Sequence, residues 1–186
     1  MTSALLASQA AQPRDVCSLR WVIGGGERTP EARIRAFADT LPAARYIDAY
    51  GLTETCGGDT MMEPGRELEK IGSVGRALSQ VDIEIRDDAG NSLPSGEEGE
   101  ICIRGGKVTR GYWNAPEKTA ASFFGDWLRT GDVGYLDGEG FLYITDRKKD
   151  LIISGGENIY CAEVESAVYR HAAIAECCVF GVPDER

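Results

Sequence analysis

The sequence reads LRWVIGGG at residues 19–26, a short apolar run that stops at three glycines. This pattern predicts a buried strand that ends in a tight loop. A helix is predicted from Thr29 to about Ala38, because Pro30 suits a first helical turn and the apolar residues share one face. A second strand is predicted at residues 45–50. Strand, helix and strand in this order indicate a parallel α/β layer, whose ligands bind beyond the carboxyl ends of its strands.

The pattern of the sequence changes after Gly72. Residues 81–85 and 99–105 alternate between apolar and polar side chains, and residues 141–144 follow a turn at 137–140. Alternation of this kind, separated by turn residues, predicts antiparallel β-hairpins.

Beyond Arg147 the pattern favours strands and helices once more. Residues 150–156 are predicted to form a strand that runs into a glycine turn, and residues 163–169 are predicted to form a helix with acidic residues in its first turn. A final strand is predicted at residues 174–179.

Composition excludes several classes of protein. The chain has 186 residues, with 20 Lys and Arg against 30 Asp and Glu, and its formal net charge is −10. This balance argues against a protein that binds nucleic acid through its phosphates. No apolar run approaches the ~20 residues of a membrane span, and the N-terminus lacks the basic segment of a secretory signal. We therefore expect a cytoplasmic protein without a transmembrane segment.

The cysteine and histidine content argues against metal clusters and disulfides. The six cysteines have no C-x-x-C spacing, which favours free thiols in a reducing compartment. His171 is the single histidine, so metal clusters and Ser-His-Asp triads are not expected.

Three stretches could carry chemistry. Residues 50–54 (YGLTE) offer an aromatic ring for a base, a hydroxyl for a phosphate and a carboxylate for a hard cation. Residues 130–132 (TGD) place a carboxylate where it could accept two hydrogen bonds from a vicinal diol. Residues 146–150 (DRKKD) could form a hinge that carries an arginine for a phosphate or sugar. Taken singly, each stretch is also compatible with a plain solvated loop, turn or linker.

Taken together, the motifs resemble those of the adenylate-forming superfamily, which includes acyl-CoA synthetases, firefly luciferase and peptide-synthetase adenylation domains. The resemblance covers nearly the whole chain, and the GGENIY segment with Glu163 and Glu165 most resembles fatty-acid and related carboxylic-acid CoA ligases. The stretches that carry it are 50–54 (YGLTE), 99–105 (GEICIRG), 111–113 (GYW), 130–135 (TGDVGY) and 146–160 (DRKKDLIISGGENIY).

The resemblance implies an α/β fold with three parts. Residues 1–71 would form the end of a large α/β AMP-binding domain, and residues 72–146 an antiparallel β-barrel-like subdomain. Residues 147–186 would form the hinge and the start of a small α+β C-terminal domain.

The resemblance also implies a reaction and its cofactors. Such enzymes convert a carboxylic acid, here a fatty or aryl acid, and Mg·ATP into an acyl-adenylate and pyrophosphate. The small domain then swings, and the thiol of coenzyme A takes the acyl group and releases AMP.

Site residues follow from the resemblance position by position. Thr53 would contact phosphate, Glu54 would hold Mg²⁺, and Asp132 would accept hydrogen bonds from both ribose hydroxyls. Arg147 would touch the ribose or phosphate, and Lys149 would be the hinge. The nucleotide site would further include Gly25, Gly26 and Glu27 along the adenine, Tyr50 stacked on the base, Gly51, and Gly156 beside the pantetheine arm.

Some family features have no match in this chain. Nothing resembles the family's phosphate loop or the catalytic lysine of its first half-reaction, and Ile153 and Cys161 replace a lysine and a proline of relatives. We therefore expect a fragment that is inactive alone, and one whose open sheet edges favour aggregation, association as a homodimer or dependence on missing parts. Two alternatives stay open: an adenylation domain that loads a carrier protein, and a non-catalytic nucleotide-binding or assembly module.

Overall fold

The computed structural model describes residues 2–26, 29–154, 157–171, 173–174 and 177–182. The helices are α1 (Thr2–Ala11), α2 (Glu31–Thr40), α3 (Pro116–Ala121) and α4 (Cys161–Val168), and a 3-10 turn spans Thr53–Thr55. The strands are β1 (Trp21–Gly25), β2 (Arg45–Leu52), β3 (Gly57–Met61), β4 (Arg76–Ala77), β5 (Val81–Arg86), β6 (Gly99–Gly105), β7 (Phe123–Phe124), β8 (Trp127–Leu136), β9 (Leu142–Arg147), β10 (Ile152–Ser154) and β11 (Glu157–Ile159).

The first sheet begins with the predicted parallel unit. Strands β1 and β2 run parallel, with Trp21 beside Arg45 and Gly25 beside Ala49, and α2 lies between them in sequence. Strands β3 and β4 continue the sheet in antiparallel pairing, in the order β1-β2-β3-β4. The predicted α/β layer is therefore confirmed.

Helix α2 covers one face of this sheet. Its apolar residues Ile34 and Phe37 are each only 3% exposed. The Phe37 ring stacks on Tyr46 of β2 with 4.8 Å between the ring centroids. The helix begins at Glu31, so Pro30 is the residue just before its first turn rather than within it.

The predicted strand at the start of the chain is present as β1, but the prediction that it is buried was wrong. Trp21 is 54% exposed and Ile23 is 61% exposed, whereas Val22 points the other way and packs against the cluster beneath α2. The physical reason is that β1 is the edge strand of its sheet, and within the described residues only the α2 side of it is covered. Alternate side chains of an edge strand then face outward.

The second sheet is antiparallel throughout and curls into a half-barrel. Strands β5, β6 and β8 lie side by side, and β7 and β9 both pair with the long strand β8. The half-barrel has a buried apolar core, in which Ile85, Ile101, Ile103 and Leu142 are each at most 2% exposed. This arrangement confirms the predicted antiparallel β-barrel-like subdomain.

Backbone hydrogen bonds join the two sheets. The Val74 N–H donates to the Leu142 carbonyl at 2.9 Å, and the Leu142 N–H donates to the Gly75 carbonyl at 2.8 Å. The Thr60 hydroxyl of β3 donates to the Val74 carbonyl at 2.7 Å. Tyr50 of β2 packs against the core of the half-barrel. The strand end that carries the YGLTE motif is therefore held against the second sheet.

The segment after β9 contains one hairpin and one helix. Strands β10 and β11 pair with each other, and α4 begins at Cys161, two residues before the predicted helix. The predicted strand at 174–179 was wrong for the residues described there, 174 and 177–179, which form no strand. A strand needs a neighbouring edge for its hydrogen bonds, and within the described chain β10 and β11 pair only with each other.

Replacing Gly75 with alanine should destabilise the protein. Gly75 has φ +89°, and an added Cβ would lie 2.0 Å from the Met61 carbonyl group. We expect Gly75→Ala to lower the free energy of unfolding by about 3 kcal/mol, because backbone at the sheet junction must move. Urea unfolding measures this loss. Gly106→Ala is the matched control, since its Cβ would meet nothing within 4 Å, and equal effects of the two substitutions would contradict the account.

Candidate functional site

Two of the predicted site residues meet across 82 residues of sequence. The Tyr50 hydroxyl of β2 donates to the Asp132 carboxylate of β8 at 2.7 Å. Burial, together with this carboxylate, raises the pKa of Tyr50 well above its usual range. The phenol therefore keeps its proton and remains a donor at any physiological pH.

Arg147 holds the other oxygen of the same carboxylate. Its Nε lies 3.2 Å from Asp132 Oδ1, because Asp132 and Arg147 are paired residues of neighbouring strands β8 and β9. The Asp132 side chain is 12% exposed, whereas that of Arg147 is 57% exposed. The carboxylate is thus fixed in place, and its unused lone pairs can accept hydrogen bonds from a ligand's hydroxyl groups.

The 3-10 turn that follows β2 presents Thr53 and Glu54. Thr53 is exposed and Glu54 is half-buried. The Tyr112 hydroxyl donates to Glu54 Oε1 at 2.9 Å. Tyr112 lies in the GYW motif, whose sequence alone indicated no role for this side chain.

The 3-10 turn is supported by Lys107 through a buried aspartate. The Thr55 hydroxyl donates to Asp59 Oδ2 at 2.5 Å, and Lys107 Nζ lies 2.8 Å from Asp59 Oδ1. Thr55 and Asp59 are completely buried. A buried carboxylate of this kind is tolerated because a cation and a hydroxyl both pair with it.

The part of the chain that the structure describes offers no ready-made metal centre. Among the described residues, no three His, Cys, Asp or Glu side chains come together as ligands. A magnesium ion bound through Glu54 would therefore be held by this one carboxylate with water and substrate phosphates, which is the usual manner for Mg²⁺ at nucleotides. Glu54 and its neighbour Thr53 fit such a site by the chemistry of their oxygens.

A cleft of about 640 Å³ opens at the junction of the two sheets and the C-terminal segment. A shallower depression of about 580 Å³ adjoins it along the ends of β1 and β2. Predicted site residues on the cleft wall are Gly26, Tyr50, Gly51, Asp132 and Arg147, and those on the depression are Gly25, Gly26, Tyr50, Gly51 and Thr53. Glu27 and Gly156 lie outside the described residues.

Lys149 lies apart from the cleft, in an exposed turn after β9. Among the described residues nothing forms a hydrogen bond or ion pair with its side chain. The preceding residue is held firmly: Lys148 Nζ lies 2.6 Å from Asp88 and 2.9 Å from Glu100. Arg129 also pairs with Glu100 at 2.9 Å. The side chain of Lys148 is therefore held by two carboxylates, whereas that of Lys149 is exposed.

Asp48 is a cleft residue that the sequence reasoning missed. It is 5% exposed and lines the cleft wall. Burial raises its pKa from 3.8 to about 6. The signal in the sequence was a lone acidic residue inside the apolar strand RYIDAY.

The fold and the site together define a class of protein: an α/β layer with a cleft at its strand ends, bordered by a β half-barrel that supplies a carboxylate and an arginine. The chain belongs to the AMP-binding enzyme family, whose sequence profile matches residues 1–113. The profile of the AMP-binding enzyme C-terminal domain matches residues 163–186.

Individual relatives support this assignment. The chain is 44% identical over 172 residues to the long-chain-fatty-acid–CoA ligase FadD13 of Mycobacterium tuberculosis, covering 92% of this chain and 34% of that protein. It is 42% identical over 191 aligned positions, gaps included, to the 2-succinylbenzoate–CoA ligase of Bacillus velezensis, covering 100% of this chain and 37% of that protein.

A solved structure agrees with the fold. The o-succinylbenzoate coenzyme A synthetase of Bacillus subtilis, in complex with ATP and a magnesium ion, matches with a TM-score of 0.87 and 42% identity, over 98% of this chain and 38% of that one. The chain thus spans little more than a third of the length of these relatives. Within the part of it that the structure describes, every helix is too short or too polar to cross a lipid bilayer.

Replacing Asp48 with asparagine should stabilise the protein in a pH-dependent manner. Because the folded-state pKa is raised, ionised Asp48 destabilises the fold, and stability falls as pH rises from about 4 through about 6. We expect Asp48→Asn to be nearly neutral at pH 4 and stabilising at pH 8 by up to about 3 kcal/mol, at 1.36 kcal/mol per pKa unit.

Thermal unfolding between pH 4 and pH 8 tests this expectation. Asp39→Asn, at an exposed position of α2, is the matched control and should show no such pH dependence. A stabilisation of Asp48→Asn that does not grow with pH would contradict the burial of a carboxylate at this place.

Proposed function

We propose that this chain carries the nucleotide site of an ATP-dependent acid–thiol ligase, an acyl-CoA synthetase. One observation carries the proposal above all: Tyr50, Asp132 and Arg147 converge on one cleft from two different sheets. An aromatic ring, a diol-accepting carboxylate and a cation are the groups that a ribonucleotide requires. CoA-ligase activity in the relatives is consistent with this assignment.

In the proposed reaction a carboxylate oxygen attacks the α-phosphorus of ATP, and pyrophosphate leaves. The thiolate of coenzyme A then attacks the acyl carbon, the acyl–oxygen bond breaks, and AMP leaves. Tyr50 would lie against the base, and Asp132 would accept hydrogen bonds from the ribose hydroxyls. Thr53 would donate to a phosphate oxygen, and Arg147 would contact the ribose or phosphate.

Glu54 is the proposed magnesium ligand. The ion, when bound, offsets the charge of the phosphates during attack at phosphorus. Glu54 is suited to this task because it lies directly after the strand end that bears Tyr50, so that a metal and a nucleotide would share one edge of the sheet. The B. subtilis relative binds ATP together with magnesium.

Lys149 is the proposed hinge. It lies within residues 147–186, proposed as the hinge and the first part of a small C-terminal domain, which follow the large-domain part at 1–71 and the β subdomain at 72–146. Its exposure, beside the anchored Lys148, supports a change of backbone direction at this residue. In the same proposal, Gly25, Gly26 and Glu27 line the adenine, Gly51 belongs to the nucleotide site, and Gly156 borders the path of the pantetheine arm.

The acid substrate is proposed only as a class, a fatty or aryl carboxylic acid. The two relatives are named for a long-chain fatty acid and for 2-succinylbenzoate, so their acids differ widely. Transfer of the acyl group to a carrier protein in preference to CoA would favour the alternative function of an adenylation domain that loads a carrier protein. AMP binding without pyrophosphate release would favour a non-catalytic module. A cytoplasmic location and a homodimer stay predictions.

Removing the Asp132 carboxylate should weaken nucleotide use. In the full natural protein we expect Asp132→Ala to lower ATP-dependent pyrophosphate release on the order of 10²-fold, because two hydrogen bonds to the ribose vanish. A coupled phosphate assay measures the rate. Asp126→Ala is the control, since its side chain is 69% exposed at the turn before β8. Unchanged kinetics of Asp132→Ala would remove this residue from the site.

The 186-residue chain by itself should form no acyl-adenylate. None of its stretches matches the family's phosphate loop or the lysine of the first half-reaction. Incubation of the purified chain with Mg·ATP and a panel of fatty and aryl acids, followed by mass spectrometry for the acyl-adenylate, tests this expectation. A detectable product would contradict it.

A further inference from the structure

The loop that follows β6 forms two hydrogen bonds with Glu54 of the 3-10 turn. The Thr109 N–H donates to the Glu54 carbonyl at 2.7 Å, and the Tyr112 hydroxyl donates to Glu54 Oε1 at 2.9 Å. The first bond holds the backbone of Glu54, and the second holds its carboxylate. Among the described residues, Tyr112 is the sole hydrogen-bond donor to this carboxylate.

Tyr112 is itself fixed by its surroundings. Its backbone N–H donates to Thr119 Oγ1 at 2.9 Å, and Lys118 Nζ lies 3.8 Å from the centre of its ring. Gly111, with φ +146°, allows this close approach, because an added Cβ would lie 2.5 Å from the Thr119 side chain. A ring held in this way can orient the group to which its hydroxyl is bonded.

From this geometry we propose that Tyr112 is a positioning residue for the metal carboxylate: its hydroxyl occupies one oxygen of Glu54 and turns the other toward the cation. The inference rests on the proposed function, in which Glu54 binds Mg²⁺ with ATP. Ligating carboxylates are commonly oriented by such outer hydrogen bonds, and loss of one costs 10- to 100-fold in metal affinity.

The hydrogen-bonding pattern of the carboxylate suits this role. The Tyr112 hydroxyl donates to Glu54 Oε1 at 2.9 Å. Glu54 Oε1 is thereby occupied, and Oε2 accepts no hydrogen bond from the described residues. An ionised carboxylate with one free oxygen is what a hard cation binds.

The test measures binding rather than catalysis. Calorimetry gives the Kd of the full natural protein for ATP in the presence of Mg²⁺ and in EDTA, and the ratio of the two is the metal-dependent gain in affinity. We expect Tyr112→Phe to reduce this gain about 10-fold and to leave the Kd in EDTA unchanged. Tyr143→Phe is the matched control and should change neither, because Tyr143 is a half-buried tyrosine stacked on Tyr135, 4.9 Å away.

A second variant separates the two proposals. Glu54→Gln should abolish the gain, and Tyr112→Phe should then have no further effect in that background. If Glu54→Gln abolishes the gain while Tyr112→Phe leaves it intact, the positioning role is overturned and the proposed function stands. If Glu54→Gln leaves the gain intact, the proposed metal role of Glu54 fails, and the inference fails with it. An equal loss for Tyr112→Phe in Mg²⁺ and in EDTA would indicate a merely structural role and would overturn the inference.

Discussion

The hydrogen bond between Tyr50 and Asp132 is the interaction on which the site depends. It joins a strand of the α/β layer to the longest strand of the half-barrel, in a place largely shielded from water. A carboxylate left unpaired there would be costly, so the two sheets are constrained to meet at this point. Arg147 completes the pairing from β9. Since the 3-10 turn begins three residues after Tyr50, fixing the end of β2 also fixes Thr53 and Glu54.

Around this contact, long charged side chains restrain the 3-10 turn and the end of β9. Lys107 reaches from the half-barrel to the buried Asp59 beneath the 3-10 turn. Lys148 binds Glu100 and Asp88, and so immobilises the backbone immediately before the exposed Lys149. The carboxylates of Asp59 and Glu100 are buried, where pairing matters more than at the surface, whereas that of Asp88 is exposed. The half-barrel is therefore both a wall of the cleft and the support for the turn.

Much of this organisation could be predicted from the sequence, because it depends on local pattern. Strand–helix–strand order predicted the parallel unit, alternation predicted the hairpins, and the order of motifs predicted the family. The contacts made by Tyr112 and Lys148 could not be predicted, because they join residues about 50 apart whose spacing carries no period. The exposure of Trp21 could not be predicted either, because it depends on which elements cover β1, and an apolar run does not show which elements pack against it.

The most direct test of the account is a crystal structure of the full natural protein with AMP. The account predicts that both ribose hydroxyl groups lie within hydrogen-bond distance of the Asp132 carboxylate, with the adenine ring against the face of Tyr50. AMP bound in another cavity, or bound here with its ribose directed away from Asp132, would contradict the account.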